Sequence, residues 1–282
     1  GKNRANLMEL VLGTAQFGMD YGVTNSSGMC SNVSIRNILH IAFSHGITKL
    51  DTAFSYGRSE ENLGSVGVEK FRVSSKIPYL EDYEYGDINR YVSASLKRLG
   101  LSTLDILYLH DDRNIQNSEI LAELESLKAS GKIVRFGASI YATVTPDNFL
   151  EKFDVVQCQG NAFDFKYLAY LNQKYSVYLR SIFLQGLLLA DIDRLPLFLS
   201  QEKNLFLAWE KYCERHEKSK LEMSLYNAMN YDVDSYVIGA SSVDEVQQII
   251  SARDSMREIR DIPLFKYNEV NEYVIDPRRW NL

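Results

Sequence analysis

The sequence predicts an α/β fold, a single-domain (β/α)8 TIM barrel, from three observations. Short apolar, β-rich segments alternate with longer amphipathic ones, eight of the short segments can be counted, and no Pro- or Ser-rich linker separates them. Such a barrel takes about 250 residues, and the chain has 282. We therefore expect one barrel domain over 1–282, with 1–7 as a tag remnant or disordered tail and 258–282 as a C-terminal tail.

The expected strands and helices follow one another along the whole chain. The strands are Glu9–Leu12, Thr48–Asp51, Arg72–Lys76, Leu104–Leu109, Val134–Ala138, Asp154–Gln157, Val177–Ser181 and Tyr236–Ile238. Apolar residues at helical spacing predict helices at Ser34–His45, Ile88–Leu99, Glu119–Ala129, Leu205–His216 and Val243–Ala252. Gly131 stands where a helix C-cap is expected. An unbroken series of eight strands favours a closed barrel over an open sheet.

Composition excludes several classes of function. The net charge of −6 argues against a nucleic-acid partner held by phosphate contacts. No apolar stretch reaches the roughly 18 residues of a membrane span, and 1–7 lack the apolar run of a signal peptide. Three widely spaced cysteines predict a reducing, cytoplasmic setting. We expect no metal site, because His40 and His45 have no acidic partner at ligand spacing.

The first predicted strand is not followed by the GxGxxG signature of an open dinucleotide-binding fold. The segment from Gly13 to Gly18 matches that signature too loosely to use. A dinucleotide bound by this chain would therefore bind without a Rossmann domain.

Four side chains fall at or just after the C-terminal ends of neighbouring strands, where TIM barrels place their catalytic groups: Asp51, Tyr56, Lys76 and His110. A tyrosine can protonate a nascent alkoxide if its pKa is lowered, which a lysine beside it favours. An aspartate would keep the lysine charged, and a histidine would orient a carbonyl oxygen. Each residue alone has a structural explanation, as a turn cap, a packing ring, a solvent-reaching ammonium or a structural histidine. Because all four fall at the same end of the predicted barrel, a shared catalytic role is favoured over four separate structural roles.

The chain resembles the aldo-keto reductase family over nearly its whole length. The matching segments are Leu12–Thr14, Leu50–Ala53 with Tyr56-Gly57 and Ser59-Glu60, Lys76, Asp105–His110, Gly131–Ser139, Val156-Gln157, Gln185-Gly186 and Ile238–Ser242. The resemblance implies a (β/α)8 barrel, NADP(H) or NAD(H) lying across its mouth, and Asp51, Tyr56, Lys76 and His110 as the catalytic tetrad. The Phe183–Leu189 run and the Asp276–Trp280 tail resemble a bacterial, uncharacterised branch associated with sugar biosynthesis.

The resemblance also implies a set of cofactor contacts. Ser139 and Gln157 would hold the nicotinamide carboxamide, Arg180 would lie under the nicotinamide ring, and the loop from Gly239 with the following helix would hold the adenosine phosphate end. The full set is Gly13, Thr14, Ser139, Gln157, Arg180, Gln185, Gly186, Gly239, Ser241, Ser242 and Gln248.

Three positions depart from the family pattern. Ile140 stands where many relatives have asparagine, and Arg180 where many have a stacking tyrosine. Arg180 could stack on the ring, form a fork to an anionic substrate, or make a salt bridge at the barrel rim. Glu245 stands near the expected ribose 2′-phosphate, which its charge would repel, so we expect NADH to be accepted at least as readily as in most relatives.

The resemblance predicts an oxidoreductase that reduces an aldehyde, ketone or keto-sugar carbonyl, with a sugar or nucleotide sugar among the candidate substrates. Two alternatives stay open: an NAD-retaining isomerase, epimerase or lyase, and a non-catalytic nucleotide-sensing barrel. The aromatic residues that follow strand ends are expected to wall the substrate pocket: Phe17, Tyr21, Phe54 and Tyr79. Leu195–Leu199 would wall the pocket or pack on the barrel, and the tail from Tyr267 would form a lid or a packing segment.

Overall fold

The computed structural model describes residues 8–22, 28–141, 147–165, 168–231 and 233–280. In these residues eight parallel strands close into a barrel in sequence order, β8 pairing with β1. The strands are β1 (Leu10–Gly13), β2 (Lys49–Asp51), β3 (Arg72–Ile77), β4 (Leu104–Leu109), β5 (Ile133–Ile140), β6 (Val155–Gln159), β7 (Val177–Arg180) and β8 (Ser235–Gly239). The predicted (β/α)8 barrel is confirmed, and each strand overlaps its predicted segment. The expectation for 1–7 lies outside the described residues.

Helices lie between successive strands. They are α1 (Asn32–Ser44), α2 (Ser59–Val66), α3 (Asp87–Leu99), α4 (Ser118–Ala129), α5 (Asp147–Leu150), α6 (Leu168–Lys174), α7 (Lys203–Arg215), α8 (Lys220–Met229), α9 (Val243–Met256) and α10 (Glu272–Ile275). The five predicted helices correspond to α1, α3, α4, α7 and α9. Gly131 follows α4 with a φ of 77°, as its expected capping position requires. None of the helices in the described ranges is long and apolar enough to cross a membrane.

Apolar side chains fill both sides of the strands. Inside the barrel, a small cluster joins Val11, Ile106, Tyr108, Val155 and Tyr178. Outside it, a larger cluster joins the strands to helix faces such as that of α3, whose buried positions recur every three or four residues. The barrel interior is therefore a packed core.

The N-terminal end of the barrel is closed by paired charges. Lys49 Nζ donates to Glu9 Oε2 at 2.6 Å and to the Tyr178 hydroxyl at 2.9 Å. Asp105 accepts from Arg72 at 2.9 Å and from Arg135 at 3.1 Å. These groups satisfy one another, which fits a structural role for this end.

A third apolar cluster covers the flank formed by α7, α8 and the C-terminal tail. Trp209 lies at its centre, and Trp280 from the tail is buried in it, 5.7 Å from Phe198 between ring centroids. The tail is thereby fixed against the barrel, and its residues Pro277 and Arg278 reach the C-terminal end of the strands.

Candidate active site

A cavity of about 820 Å³ opens at the C-terminal ends of the strands. Asp51 on β2 and Gln157 on β6 meet across it, although their strands are not neighbours. All but one of the expected site residues line the cavity: Asp51, Tyr56, Lys76, His110, Gly13, Thr14, Ser139, Gln157, Arg180, Gln185, Gly186, Gly239, Ser241 and Gln248. The exception is Ser242. The structure thus brings the predicted residues together in one place.

The loop that carries Tyr56 is built by continuing the strand ladder beyond β2. The Thr52 amide donates to the Ser74 carbonyl and the Phe54 amide to the Lys76 carbonyl, each at 2.9 Å. The chain then turns, with the Tyr56 amide donating to the Ala53 carbonyl at 3.1 Å. The ladder therefore fixes Tyr56 relative to the strand that carries Lys76.

Two glycines let the loops after β1 and β2 touch. A Cβ atom at Gly18 would lie 2.0 Å from the Tyr56 carbonyl oxygen, and one at Gly57 would lie 2.3 Å from the Gly18 carbonyl oxygen. Gly57 also has a φ of +54°, which favours glycine. This close approach holds the Tyr56 backbone in place, because no other side chain fits there without moving the loop.

Buried hydroxyl groups connect the same two loops. Thr52 Oγ1 donates to Ser59 Oγ at 2.9 Å, and Ser59 Oγ donates to the Thr14 carbonyl at 2.9 Å. Thr14 Oγ1 donates to the Asp51 carbonyl at 3.1 Å. The Thr14 side chain, an expected cofactor contact, is therefore already used to tie β1 to β2.

Lys76 and Asp51 form a buried ion pair at the base of the cavity. Lys76 Nζ lies 2.5 Å from Asp51 Oδ2 and also donates to the Thr52 carbonyl at 3.0 Å. Burial lowers the pKa of Lys76, while the neighbouring Asp51 carboxylate opposes that shift. The pair is the charged centre around which the other polar groups are arranged.

Tyr56 and His110 stand above this pair. Lys76 Nζ lies 5.1 Å from the centre of the Tyr56 ring, and the rings of Tyr56 and His110 are 5.9 Å apart in an edge-to-face arrangement. The Tyr56 hydroxyl makes no hydrogen bond with the residues that the structure describes, whereas His110 Nδ1 lies 3.3 Å from Ser55 Oγ. A group bound in the cavity can therefore reach the phenol.

The sequence predicts that Lys76 lowers the pKa of Tyr56, but in the structure the pKa of Tyr56 is raised. Burial, and then the charge of Asp51, raise the pKa of Tyr56 well above its usual value. The reason is that Asp51 neutralises Lys76 at 2.5 Å, so that desolvation of the phenolate dominates. Tyr56 is consequently a neutral phenol at physiological pH, the form that a proton donor needs.

His110 is also uncharged in this environment. Burial, followed by the positive charges of Lys76 and Arg180, lowers the pKa of His110 to about 3. A neutral imidazole has one N–H donor and one acceptor nitrogen. His110 can therefore donate a hydrogen bond into the cavity without carrying a charge.

Ser139 and Gln157 are neighbours on β5 and β6, as their expected shared role requires. Gln157 Nε2 donates to Asp51 Oδ1 at 3.0 Å, which links the amide to the ion pair. Gln157 Oε1 is buried and has no hydrogen-bond partner in the described part of the chain. A buried acceptor left without a donor is costly, so this atom is suited to a donor from a bound ligand.

Arg180 is the last residue of β7 and lines the cavity. The sequence left open a salt bridge at the barrel rim as its structural role, and no such salt bridge is found in the described residues. Its guanidinium donates to the Ile140 carbonyl at 3.2 Å and to Ser181 Oγ at 3.3 Å. Within the described ranges it pairs with no carboxylate. The segment that follows is strained, since Ser181 and Gln185 have φ values of 62° and 53° without being glycine. Strain of this kind is common at functional sites.

The loop after β8 donates hydrogen bonds to the carboxylate of Glu245, in the first turn of α9. Glu245 Oε2 accepts from the Ser241 amide at 2.6 Å and from Ser241 Oγ at 2.9 Å. Ser242 Oγ accepts from the Glu245 amide at 3.1 Å as the N-cap of α9, which explains why Ser242 does not line the cavity. A negative charge therefore occupies the expected adenosine phosphate end.

The expected aromatic walls are only partly correct. Tyr21 lines the cavity, but Phe17 is fully buried in the core, and Phe54 and Tyr79 line a separate shallow groove near α3. Phe54 is held there by Tyr91 and Arg98, with ring centroids 4.7 Å apart and the guanidinium carbon at 4.1 Å. Of the Leu195–Leu199 segment, Leu195, Phe198 and Leu199 pack against the α7 flank instead of walling the cavity, and Leu197 is exposed.

Several residues that line the cavity were not predicted from the sequence, and Tyr141 is the one that contacts both arginines of the cavity. Tyr141, directly after β5, lies 4.5 Å from the Arg180 guanidinium carbon and 3.6 Å from that of Arg278, both measured to its ring centroid. Its position one residue beyond a strand end was the available signal. In the described residues no group of three or more His, Cys, Asp and Glu side chains could hold a metal ion.

Comparisons with known proteins agree with this architecture. The sequence model described as the aldo/keto reductase family matches residues 9–262. D-arabinose 1-dehydrogenase of Saccharomyces cerevisiae is 26% identical over 313 aligned positions, covering 95% of this chain and 91% of the relative. L-glyceraldehyde 3-phosphate reductase of Escherichia coli K12 is 34% identical over 137 residues, covering 42% of this chain and 40% of the relative.

A solved structure shows the same fold. An aldo-keto reductase from Bacillus halodurans superimposes with a TM-score of 0.69 at 21% identity, covering 92% of this chain and 94% of that one. At 21% identity this similarity shows a shared barrel fold alone.

Proposed function

The chain belongs to the aldo/keto reductase family, and on that premise we propose that it reduces an aldehyde, ketone or sugar carbonyl with NAD(P)H, using Tyr56 as the proton donor. The observation that carries the proposal is the neutral Tyr56 phenol at the mouth of the cavity, beside neutral His110 and above the buried Lys76–Asp51 pair. Carbonyl reduction in general is what the family and its reductase-named members support.

Tyr56 protonates the oxygen of the substrate carbonyl as that oxygen gains negative charge. Its raised pKa keeps the proton on the phenol until then. Lys76 lies close enough to stabilise the phenolate that remains, and Asp51 holds Lys76 in position with the charged form favoured. We assign these three residues as one proton-donating unit.

His110 orients the carbonyl oxygen toward Tyr56. An N–H of the neutral ring donates to the oxygen, and the edge-to-face contact of the two rings places both residues at the same wall of the cavity. A charged imidazolium would compete with Tyr56 as the acid, and the pKa of about 3 avoids that competition.

The cavity suits a nicotinamide dinucleotide. Gln157 Oε1, buried without a donor, fits the amino group of a carboxamide, and Ser139 beside it fits the carboxamide oxygen. When bound, the cofactor supplies a hydride to the carbonyl carbon. We assign the remaining contacts to the residues that line the cavity toward β8, namely Gly13, Gln185, Gly186, Gly239, Ser241 and Gln248, with Thr14 acting through its backbone.

The cofactor preference follows from Glu245. Because its carboxylate already accepts from the Ser241 amide and hydroxyl, it places negative charge where a ribose 2′-phosphate would lie. We infer that NADH is used at least as well as NADPH.

A sugar is the substrate class that the named relatives favour, since one is an arabinose dehydrogenase and the other a glyceraldehyde 3-phosphate reductase. Neither name contains a nucleotide sugar. We also infer that 8–280 act as one catalytic domain, and that the three free, buried cysteines suit the reducing conditions of the cytoplasm.

The test is a screen of small aldehydes, ketones, free and phosphorylated aldoses and nucleotide-activated keto sugars for oxidation of NADH and NADPH. We expect substrate-dependent loss of the reduced cofactor, equal to the alcohol formed. Conversion of a sugar with no net cofactor change would instead identify an NAD-retaining isomerase, epimerase or lyase. Binding of the cofactor without turnover of any candidate would favour a nucleotide-sensing barrel.

A further inference from the structure

Arg180 is a cation whose charge no carboxylate matches among the described residues. Two of its N–H groups are used by uncharged oxygens, those of Ile140 and Ser181. The other cations that line the cavity are matched: Lys76 by Asp51 at 2.5 Å and Arg278 by Asp276 at 2.8 Å. In the described residues, Arg180 is the one cation lining the cavity that makes no ion pair.

None of the carboxylates that line the cavity pairs with Arg180 in the described residues. Asp111 is held by Arg113 at 2.7 Å, and Glu245 accepts from Ser241 at the β8 end. Asp112 also lines the cavity; its charge acts on Arg278 and Arg113, and its Oδ2 is buried without a hydrogen-bond partner in the described part of the chain. The positive charge of Arg180 therefore has no carboxylate paired with it among these residues.

Arg180 lies close to the reacting groups. It lines the same cavity as Tyr56 and His110. Its charge opposes the rise in the pKa of Tyr56 that burial and Asp51 cause, and it adds to the lowering of the pKa of His110 that burial causes. Tyr141 connects it to Arg278, since the ring contacts both guanidinium groups. Two arginines thus converge on one wall beside the position of the carbonyl.

A desolvated cation without a counterion is costly, and the cost is relieved when an anion binds. Guanidinium groups bind carboxylates and phosphates through paired N–H donors, and Arg180 keeps N–H groups that no described residue uses. We propose that Arg180, supported by Arg278, binds an anionic group, carboxylate or phosphate, carried by the carbonyl substrate. The inference rests on the proposed carbonyl reduction and defines its substrate class.

The experiment compares matched probes that differ in charge. The pairs are succinic semialdehyde against butanal, and glyceraldehyde 3-phosphate against glyceraldehyde, with kcat/KM measured for each. In the wild type we expect the charged member to be favoured by about 10- to 100-fold, as for a charge-assisted hydrogen bond. The pair with the larger ratio distinguishes a carboxylate from a phosphate.

Variants assign the preference to its residue. Arg180→Gln should bring the ratio close to one, Arg180→Lys should retain part of it, and Arg278→Gln should reduce it a few-fold. Arg279→Gln is the matched control, because Arg279 is an exposed neighbour paired with Glu272 and does not line the cavity. The affinity for NAD(P)H is measured in parallel by fluorescence.

Two results would overturn the inference. One is a wild type that reduces charged and neutral probes equally well. The other is an Arg180→Gln variant whose cofactor affinity falls while its charged-to-neutral ratio stays that of the wild type, which would assign Arg180 to the cofactor. If no probe is reduced, the proposed function fails separately, and calorimetry with succinate and glycerol 3-phosphate decides the anion site: binding lost in Arg180→Gln supports it, and no binding to the wild type refutes it.

Discussion

The two ends of the barrel carry similar side chains in different surroundings. At the N-terminal end, Lys49 is bound by Glu9 and Tyr178, and Asp105 is bound by two arginines. At the C-terminal end, Lys76 is bound by Asp51, but the Tyr56 hydroxyl, Gln157 Oε1 and the charge of Arg180 have no matching partner among the described residues.

This difference separates stabilising from functional polar groups. A polar group that is fully paired contributes to the fold, whereas a buried group without a partner costs free energy that a ligand can offset. Residue type does not distinguish the two ends, since both have a lysine, a tyrosine and a carboxylate. What distinguishes the two ends is whether their polar groups have partners. Substituting the equivalent residue at each end tests this difference.

The largest difference is expected between two tyrosines. Tyr56→Phe removes the proton donor and should lower turnover by about 10²- to 10⁴-fold, the usual contribution of general-acid catalysis. Tyr178→Phe removes the same hydroxyl from the N-terminal end and should leave turnover within about two-fold, because that hydroxyl accepts from Lys49 and Arg135, far from the cavity. Steady-state rates with a substrate found in the screen measure both. Similar losses in the two variants would contradict the division between the ends.

The two lysines should differ in stability. Lys76→Met leaves the buried Asp51 carboxylate unpaired and should lower the free energy of unfolding by about 3–5 kcal/mol. Lys49→Met leaves Glu9, whose side chain is 47% exposed, and should cost about 1 kcal/mol. Urea unfolding gives both values. Equal losses would mean that the two pairs are buried to the same extent.

Cofactor preference should change moderately with Glu245. Glu245→Gln removes a negative charge near the expected 2′-phosphate and should raise the NADPH-to-NADH ratio of kcat/KM by about five-fold, as for roughly 1 kcal/mol of screened repulsion. Asp244→Asn is the matched control, one residue away on α9 and outside the cavity lining. A wild type that strongly prefers NADPH would show that Glu245 does not set the preference.

The smallest effect concerns pH. His110 has a pKa of about 3 in the folded chain and about 6.5 when unfolded. Between these values the unfolded chain binds more protons, so stability is lost as the pH falls from 6.5 toward 3. His110→Asn should lose less stability than the wild type between pH 7.5 and pH 5, by an amount on the order of 1 kcal/mol. His40→Asn, at an exposed position on α1, should follow the wild type; an unchanged slope in His110→Asn would place a charged imidazole in the cavity.

The sequence predicted the strands well because each is a short apolar run, and the four polar residues at strand ends were visible as exceptions to that pattern. Helix α8 was missed, although Ser219 and Glu222 form a capping box that its sequence contains. The reason is that Ser219 comes soon after α7, where a charged segment hides the start of a new helix.

Which polar side chains find a hydrogen-bond or ion-pair partner could not be predicted from the sequence. The alternation of strands places Arg180 at the cavity, but whether a carboxylate meets it depends on loops whose paths only tertiary packing decides. The same holds for Phe17. Its position after a strand end predicted a wall of the substrate pocket, but packing directs its side chain into the core. The direction of the Tyr56 pKa shift likewise depended on how closely Asp51 approaches Lys76, a distance that spacing along the chain does not contain.

The most direct test of the account is transfer of isotope from a reduced nicotinamide cofactor that carries deuterium at both hydrogen positions of C4. With wild-type protein and a carbonyl substrate from the screen, we predict one deuterium at the carbinol carbon of the product for each oxidised cofactor, and no labelled product above background with Tyr56→Phe in the same time. An unlabelled product, or labelled alcohol formed at the wild-type rate by Tyr56→Phe, would contradict hydride transfer at a site where Tyr56 supplies the proton.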